Sequence, residues 1–184
     1  MILVARDPVA RLKSAFYGYF HYFSKYGKNN TGFTAYVKEQ VGAFQTCAAQ
    51  FGASHCAFLF EALSAREEAI YFHADQLMRG MYGLFLEVWF RFIPPANWMI
   101  VHSDDFFSNP KETLSKVVDF LGLSKVNETV LETMAKAGNV NSYAKDYPPI
   151  EPEAKRLLQE LYRPYNTLLA QLTGDPRYEQ WNQL

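Results

Sequence analysis

Apolar positions along the chain follow two periods. Ile2-Leu3-Val4-Ala5 is a continuous apolar run, the pattern of a buried parallel strand, and Arg6-Asp7-Pro8 follows it. Leu12, Phe16, Tyr19, Phe20 and Phe23 then recur at helical spacing, which predicts a helix from 8 to about 25 with Pro8 in its first turn. Residues 25–32 read as a polar loop. Phe33, Tyr36, Val37, Val41, Phe44, Cys47, Ala48 and Phe51 mark one face of a second helix, ended by Gly52-Ala53-Ser54. A third helix is predicted from about 74 to 92, with Leu77, Met81, Leu84, Phe85 and Val88 inward and Pro94-Pro95 as its stop. Trp98-Met99-Ile100-Val101 is the second strand candidate. Asn109-Pro110-Lys111-Glu112 has the form of a capping box opening a helix through Leu114, Val117, Val118 and Leu121 to Gly122. A short helix is expected after Asn127, then an irregular stretch over 138–149. The last segment carries Leu157, Leu158, Leu161, Tyr165, Leu168, Leu169 and Leu172 at helical spacing and is expected to be interrupted by a kink at Pro164.

Strand, helices, strand, helix is the order of an α/β domain. The expected architecture is a three-layer α/β/α fold around a central parallel sheet, with Ile2–Ala5 and residues 98–102 as its identifiable strands. At 184 residues, 49% of them hydrophobic, residues 1–184 are expected to form one domain. A domain rarely begins on a central strand, so preceding sequence is expected. Hydrophobic runs such as Ala57–Phe60 or Gly83–Phe90 fall far short of the ~20 residues that span a bilayer, and a charge at Arg6 does not fit a signal peptide; as written the chain is expected to be soluble. A net charge of −1 gives no drive toward nucleic acid or an anionic membrane, so any anion binding must be local. Cys47 and Cys56, nine residues apart, form one local disulfide in a secreted protein or two ordinary thiols in the cytosol.

The sharpest local feature is Arg6-Asp7-Pro8-Val9-Ala10-Arg11-Leu12-Lys13-Ser14. A strand end delivers Arg6, the following helix carries Ser14, and a planar guanidinium plus a hydroxyl suit a phosphate. Taken alone, an arginine there is more often a surface ion-pair partner. His21, His55, His73 and His102 have no ligand spacing, so no metal is expected. Asp104-Asp105 at the second strand's end reads as local capping or pairing. Asn29-Asn30-Thr31 and Asn127-Glu128-Thr129 are acceptor sequons for N-linked glycosylation.

Arg-x-Pro-x-x-Arg-x-x-Ser after an apolar strand resembles the 3′-phosphate-binding motif of sulfotransferases that use 3′-phosphoadenylyl sulfate (PAPS). The resemblance continues through Arg79-Gly80-Met81-Tyr82, Leu86 to Trp89, Met99-Ile100-Val101 with Asp104-Asp105-Phe106, Pro110, and Phe120-Leu121-Gly122-Leu123. Asn141, Tyr143, Lys145, Pro148-Pro149, Leu161-Tyr162-x-Pro-x-Asn166-x-x-Leu169-Ala170, Asp175-Pro176-Arg177-Tyr178 and Trp181 are similar to the branch that includes the N-acetylgalactosamine 4-sulfate 6-O-sulfotransferase. The resemblance implies a P-loop nucleotide hydrolase-like sulfotransferase fold, N-terminally truncated. It implies sulfuryl transfer from PAPS to a carbohydrate, glycosaminoglycan-type hydroxyl, without a metal. Arg6 and Ser14 would hold the 3′-phosphate, Arg79, Gly80 and Tyr82 would lie near the donor or acceptor, and Lys145 would belong to a loop closing over the nucleotide. It implies a Golgi-lumenal location, a membrane anchor only in the missing N-terminal part, and a Cys47–Cys56 disulfide. The acceptor-deprotonating residue is not assigned.

The family's 5′-phosphosulfate loop is absent, and no Gly-x-x-x-x-Gly-Lys-Ser/Thr pattern occurs in the chain. Two alternatives therefore stay open beside an enzyme represented by an incomplete chain: a degenerate nucleotide-binding or regulatory module without catalysis, and a phosphotransferase on the same fold. A Gly/Lys/Thr-rich turn upstream would mark the enzyme; a preference for a triphosphate would mark the phosphotransferase.

Overall fold

The computed structural model describes residues 1–61, 75–136 and 146–183. The chain divides into two compact units, one of residues 1–6 and 89–145, the other of residues 7–88 and 146–184.

The first unit holds the sheet. β1 (Ile2–Ala5) pairs in parallel with β2 (Met99–His102), in the register Ile2 with Met99 through Ala5 with His102. Both strands and their parallel pairing follow the sequence expectation. Ala5 and Val101 are buried, whereas Ile2 and Val4 are 39% and 56% exposed, so β1 is not the wholly buried strand its apolar run suggests. Among the described residues β2 is its only ladder partner, and a ladder partner covers an edge of a strand, not the face on which Ile2 and Val4 lie. After β2 come α7 (Ser103–Ser108), α8 (Pro110–Phe120) and α9 (Glu128–Ala135). Pro110 takes the first turn of α8 as expected, but the Asn109 side chain makes no cap hydrogen bond, so the expected capping box is not formed. Gly122, at φ 65°, ends this helix in the left-handed conformation that glycine takes without strain.

The second unit is helical: α1 (Pro8–Gly18), α2 (His21–Tyr26), α3 (Asn30–Phe51), α4 (Ala53–Glu61), α5 (Asp75–Met78), α6 (Tyr82–Trp89, through Val88) and α10 (Pro152–Thr173). Its core is aromatic. Phe16 of α1 stacks on Tyr22 at 5.6 Å and meets Phe33 and Tyr36 of α3 edge-on or tilted at 5.2 and 5.4 Å, all four buried. Cys47 and Cys56 are joined by a disulfide that ties α3 to α4 across Gly52.

Three helix boundaries differ from expectation. The helix expected to run to about 25 stops at Gly18 and restarts at His21, and α3 begins at Asn30, so only residues 27–29 remain as loop. The helix expected over 74–92 is broken at residues 79–81, for a reason given below. The C-terminal helix is one element that continues through Pro164 rather than stopping there. Its buried Leu158, Leu161, Tyr162 and Leu169 supply the packing that outweighs one lost backbone bond. Among the described residues no helix is long and apolar enough to cross a membrane.

Candidate functional site

Within the helical unit, α1, the 76–82 segment and α10 converge. Asp7 caps α1: one carboxylate oxygen accepts from the Val9 and Ala10 amides at 2.8 and 3.0 Å, with Pro8 at the first helical position. Cap and proline fix where the helix starts, and therefore fix the phase of Arg11 and Ser14 along it.

Arg11, the second arginine of the motif, is committed internally. Its guanidinium donates to Gln76 Oε1 at 3.2 Å and to the Gln76 backbone carbonyl, and its buried Nε has no hydrogen-bond partner among the described residues. Next to this pair, the Tyr162 hydroxyl donates to the Leu77 carbonyl at 2.9 Å from a fully buried ring. Burial pushes the Tyr162 phenol well above its ordinary pKa, with the Arg11 charge acting weakly in the opposite direction.

Gly80 explains the break between α5 and α6. A Cβ built there would lie 2.8 Å from Tyr162 Cε1 and 2.9 Å from Pro8 Cβ, so the backbone sits against two side chains with no room for a third. The chain turns through Gly80 N to Leu77 O and Met81 N to Met78 O, at 3.2 and 2.8 Å, before α6 begins. Tyr82 follows, buried, its ring 6.4 Å from that of Trp181; Arg79 points to the exposed side of the same turn.

Among the residues singled out from the sequence, Ser14, Arg79, Gly80 and Tyr82 belong to this unit, while Arg6 belongs to the first. Ser14 is half-buried, and its hydroxyl makes no hydrogen bond among the described residues. Arg6 is exposed at the end of β1, likewise without a hydrogen bond or ion pair there. The two arginines of the motif thus differ: Arg11 is occupied with the protein, and Arg6 retains its full set of donors. Lys145, with Asn141 and Tyr143, lies outside the described residues.

In the first unit, Asp104 and Asp105 open α7. The Asp104 amide donates to His102 Nδ1 at 3.2 Å, and Ser103 Oγ donates to the Asp104 carboxylate at 3.3 Å, so this strand end does pair locally. A depression of about 590 Å³ is lined by Asn109, Lys111, Glu112, Glu132 and Lys136; Lys111 is held by Glu128 and Glu132 at 2.8 Å each, and no residue of the Arg6-to-Ser14 motif lines it.

Sequence reasoning missed Asp7 as a helix cap and Gln76 as the partner of Arg11. Asp-Pro at a helix start was a usable signal for the first; a contact across 65 residues left none for the second.

Residues 1–148 match the family described as Sulfotransferase domain. The chain is 28% identical over 184 residues to carbohydrate sulfotransferase 15 of Homo sapiens, covering 97% of this chain and 30% of that protein. It is 31% identical over 97 residues to carbohydrate sulfotransferase 15 of Nototodarus sloanii, covering 51% and 61% respectively. Over 111 residues it is 31% identical to heparan sulfate glucosamine 3-O-sulfotransferase 3B1 of Homo sapiens, covering 52% of this chain and 28% of that protein. This chain therefore spans about a third of the length of the human carbohydrate relative. With most of its length matched, and with the parallel strand pair and helix-rich α/β composition in place, the chain belongs to the sulfotransferase domain family.

Proposed function

We propose that this chain is the nucleotide-binding part of a PAPS-dependent sulfotransferase acting on a carbohydrate hydroxyl of the glycosaminoglycan type, and that both compact units belong to one domain, residues 1–184. The family match, which runs through both units, supports the single domain. The relatives' printed names support the carbohydrate acceptor. The observation that carries the donor assignment is the different fate of the motif's donors: Arg11 is bonded within the protein, whereas Arg6 and Ser14 are uncommitted among the described residues.

PAPS, when bound, supplies the sulfuryl group that an acceptor hydroxyl attacks in line. The chain's own contribution is recognition. Arg6, as the first arginine of the motif, and Ser14, as its serine, donate to the 3′-phosphate, the group that separates this donor from ordinary adenine nucleotides. The assignment rests on the motif. Gly80 admits close backbone approach, Tyr82 and Arg79 flank it, and Lys145 is assigned to a loop over the nucleotide. The full-length protein is placed in the Golgi lumen with an N-terminal membrane anchor; the Cys47–Cys56 bridge supports an oxidising compartment.

Calorimetric titration with adenosine 3′,5′-bisphosphate, with adenosine 5′-phosphate as control, tests the reading. Arg6→Ala is expected to weaken bisphosphate binding by about 1.5–3 kcal/mol, the worth of hydrogen bonds to a charged group, and barely to change the control. Equal losses for the two nucleotides, or no binding by the folded parent chain, would remove the 3′-phosphate assignment from residues 1–184.

A further inference from the structure

The two glycosylation sequons occupy the same structural position in different helices. Asn29 is the N-cap of α3, its Oδ1 accepting from the Gly32 amide at 2.7 Å; Asn127 is the N-cap of α9, its Oδ1 accepting from the Val130 amide at 2.9 Å. Both asparagines are exposed, both have extended backbones (φ −151°, ψ 176° and φ −68°, ψ 159°), and both sequon threonines, Thr31 and Thr129, are exposed in the first helical turn. Capping uses only the amide oxygen. Among the described residues neither Asn29 Nδ2 nor Asn127 Nδ2 donates a hydrogen bond.

We propose that Asn29 and Asn127 are N-glycosylation sites, each carrying an oligosaccharide on Nδ2 while its Oδ1 goes on capping the helix; the proposal rests on the lumenal location argued above. The co-substrate is an oligosaccharide linked to a polyisoprenyl pyrophosphate and delivered by the host's transferase. Nδ2 attacks C1 of the reducing-end sugar, the new N–C bond replaces the C1–O bond to pyrophosphate, and the polyisoprenyl pyrophosphate leaves. One Nδ2 proton passes to base. The amide loses one of its two N–H donors and keeps both lone pairs on Oδ1, so modification leaves the cap intact. The surface position leaves the glycan in solvent, where its bulk meets no packed neighbour.

The experiment expresses the 184-residue chain behind a secretory leader in animal cells and treats the secreted, disulfide-bonded protein with a peptide N-glycosidase in heavy-oxygen water. Both asparagines are expected to appear as heavy-labelled aspartate in peptide mass spectra, and the enzyme is expected to lower the protein's apparent mass. Thr31→Ala and Thr129→Ala should each abolish labelling at one site with an unchanged melting temperature, since the caps remain. Should either fail to be secreted, Asn29→Asp or Asn127→Asp keeps a capping oxygen and removes the attachment atom. A secreted, folded chain unlabelled at a site overturns the proposal for that site. The untagged protein from its own cells is the second arm: glycans on the secreted chain but none on the native one would sink the lumenal location while leaving the competence of the sites standing.

Discussion

Tyr162 shows how much one side chain fixes in the helical unit. Its ring closes over Gly80, and its hydroxyl satisfies the Leu77 carbonyl just before the chain turns. In Tyr162→Phe that buried carbonyl loses the phenolic donor and keeps only the Gly80 amide, an expected cost of about 0.5–1.5 kcal/mol at neutral pH by urea unfolding. The same tyrosine sets a pH dependence. Burial raises its folded-state pKa above the unfolded value of about 10, so above that pH the unfolded chain releases a proton the folded chain keeps. Its contribution is therefore fully present below pH about 10 and is lost as pH rises toward the raised folded value. Tyr162→Phe should lose stability less steeply over that alkaline range than the parent. An unchanged alkaline slope would assign the titration instead to Tyr17, Tyr26 or Tyr165, whose phenols burial also raises.

Between elements, α6 and α10 cross with their backbones in contact. A Cβ at Gly83 would meet the Leu169 backbone nitrogen at 2.7 Å and the Tyr165 carbonyl oxygen closer still, so the two helix backbones touch there. Backbone cannot rotate aside as a side chain can. Gly83→Ala is expected to destabilise by about 3 kcal/mol, at the upper end of overpacking costs, with a lowered thermal midpoint as the check. A melting temperature equal to the parent's would mean that the helices separate at no cost. The sequence disclosed neither this crossing nor the break at residues 79–81, because both arise from partners on α10 some 80 residues away. It did disclose the strand pair, the aromatic face of α3 and the proline-led start of α8, where period and turn residues act locally. The Arg6-to-Ser14 motif was legible for the same reason, being contained in one junction of strand and helix, whereas the Arg11–Gln76 pairing was not.

For the whole molecule, 18 basic and 19 acidic side chains leave no net field to gather a polyanionic nucleotide. Exposed lysines are in part already neutralised: Lys25 by Glu39 at 2.5 Å, Lys38 by Glu153 at 2.8 Å and Lys116 by Glu112 at 2.6 Å. Such surface pairs are each worth about 0–1 kcal/mol and add little long-range potential at physiological salt, where charges are screened beyond about 8 Å. Affinity for a 3′,5′-bisphosphate must then come from the few donors that touch it. Reversing Lys38 or Lys116 to glutamate is accordingly expected to change the bisphosphate dissociation constant by less than about twofold, whereas Arg6→Ala weakens it by about tenfold or more, as charge-assisted contacts predict. Titrations at two salt concentrations separate the causes. Losses in Lys38→Glu and Lys116→Glu that match that of Arg6→Ala and fade at high salt would show that the nucleotide responds to the general field of the surface, and Arg6 would have no special claim on the 3′-phosphate.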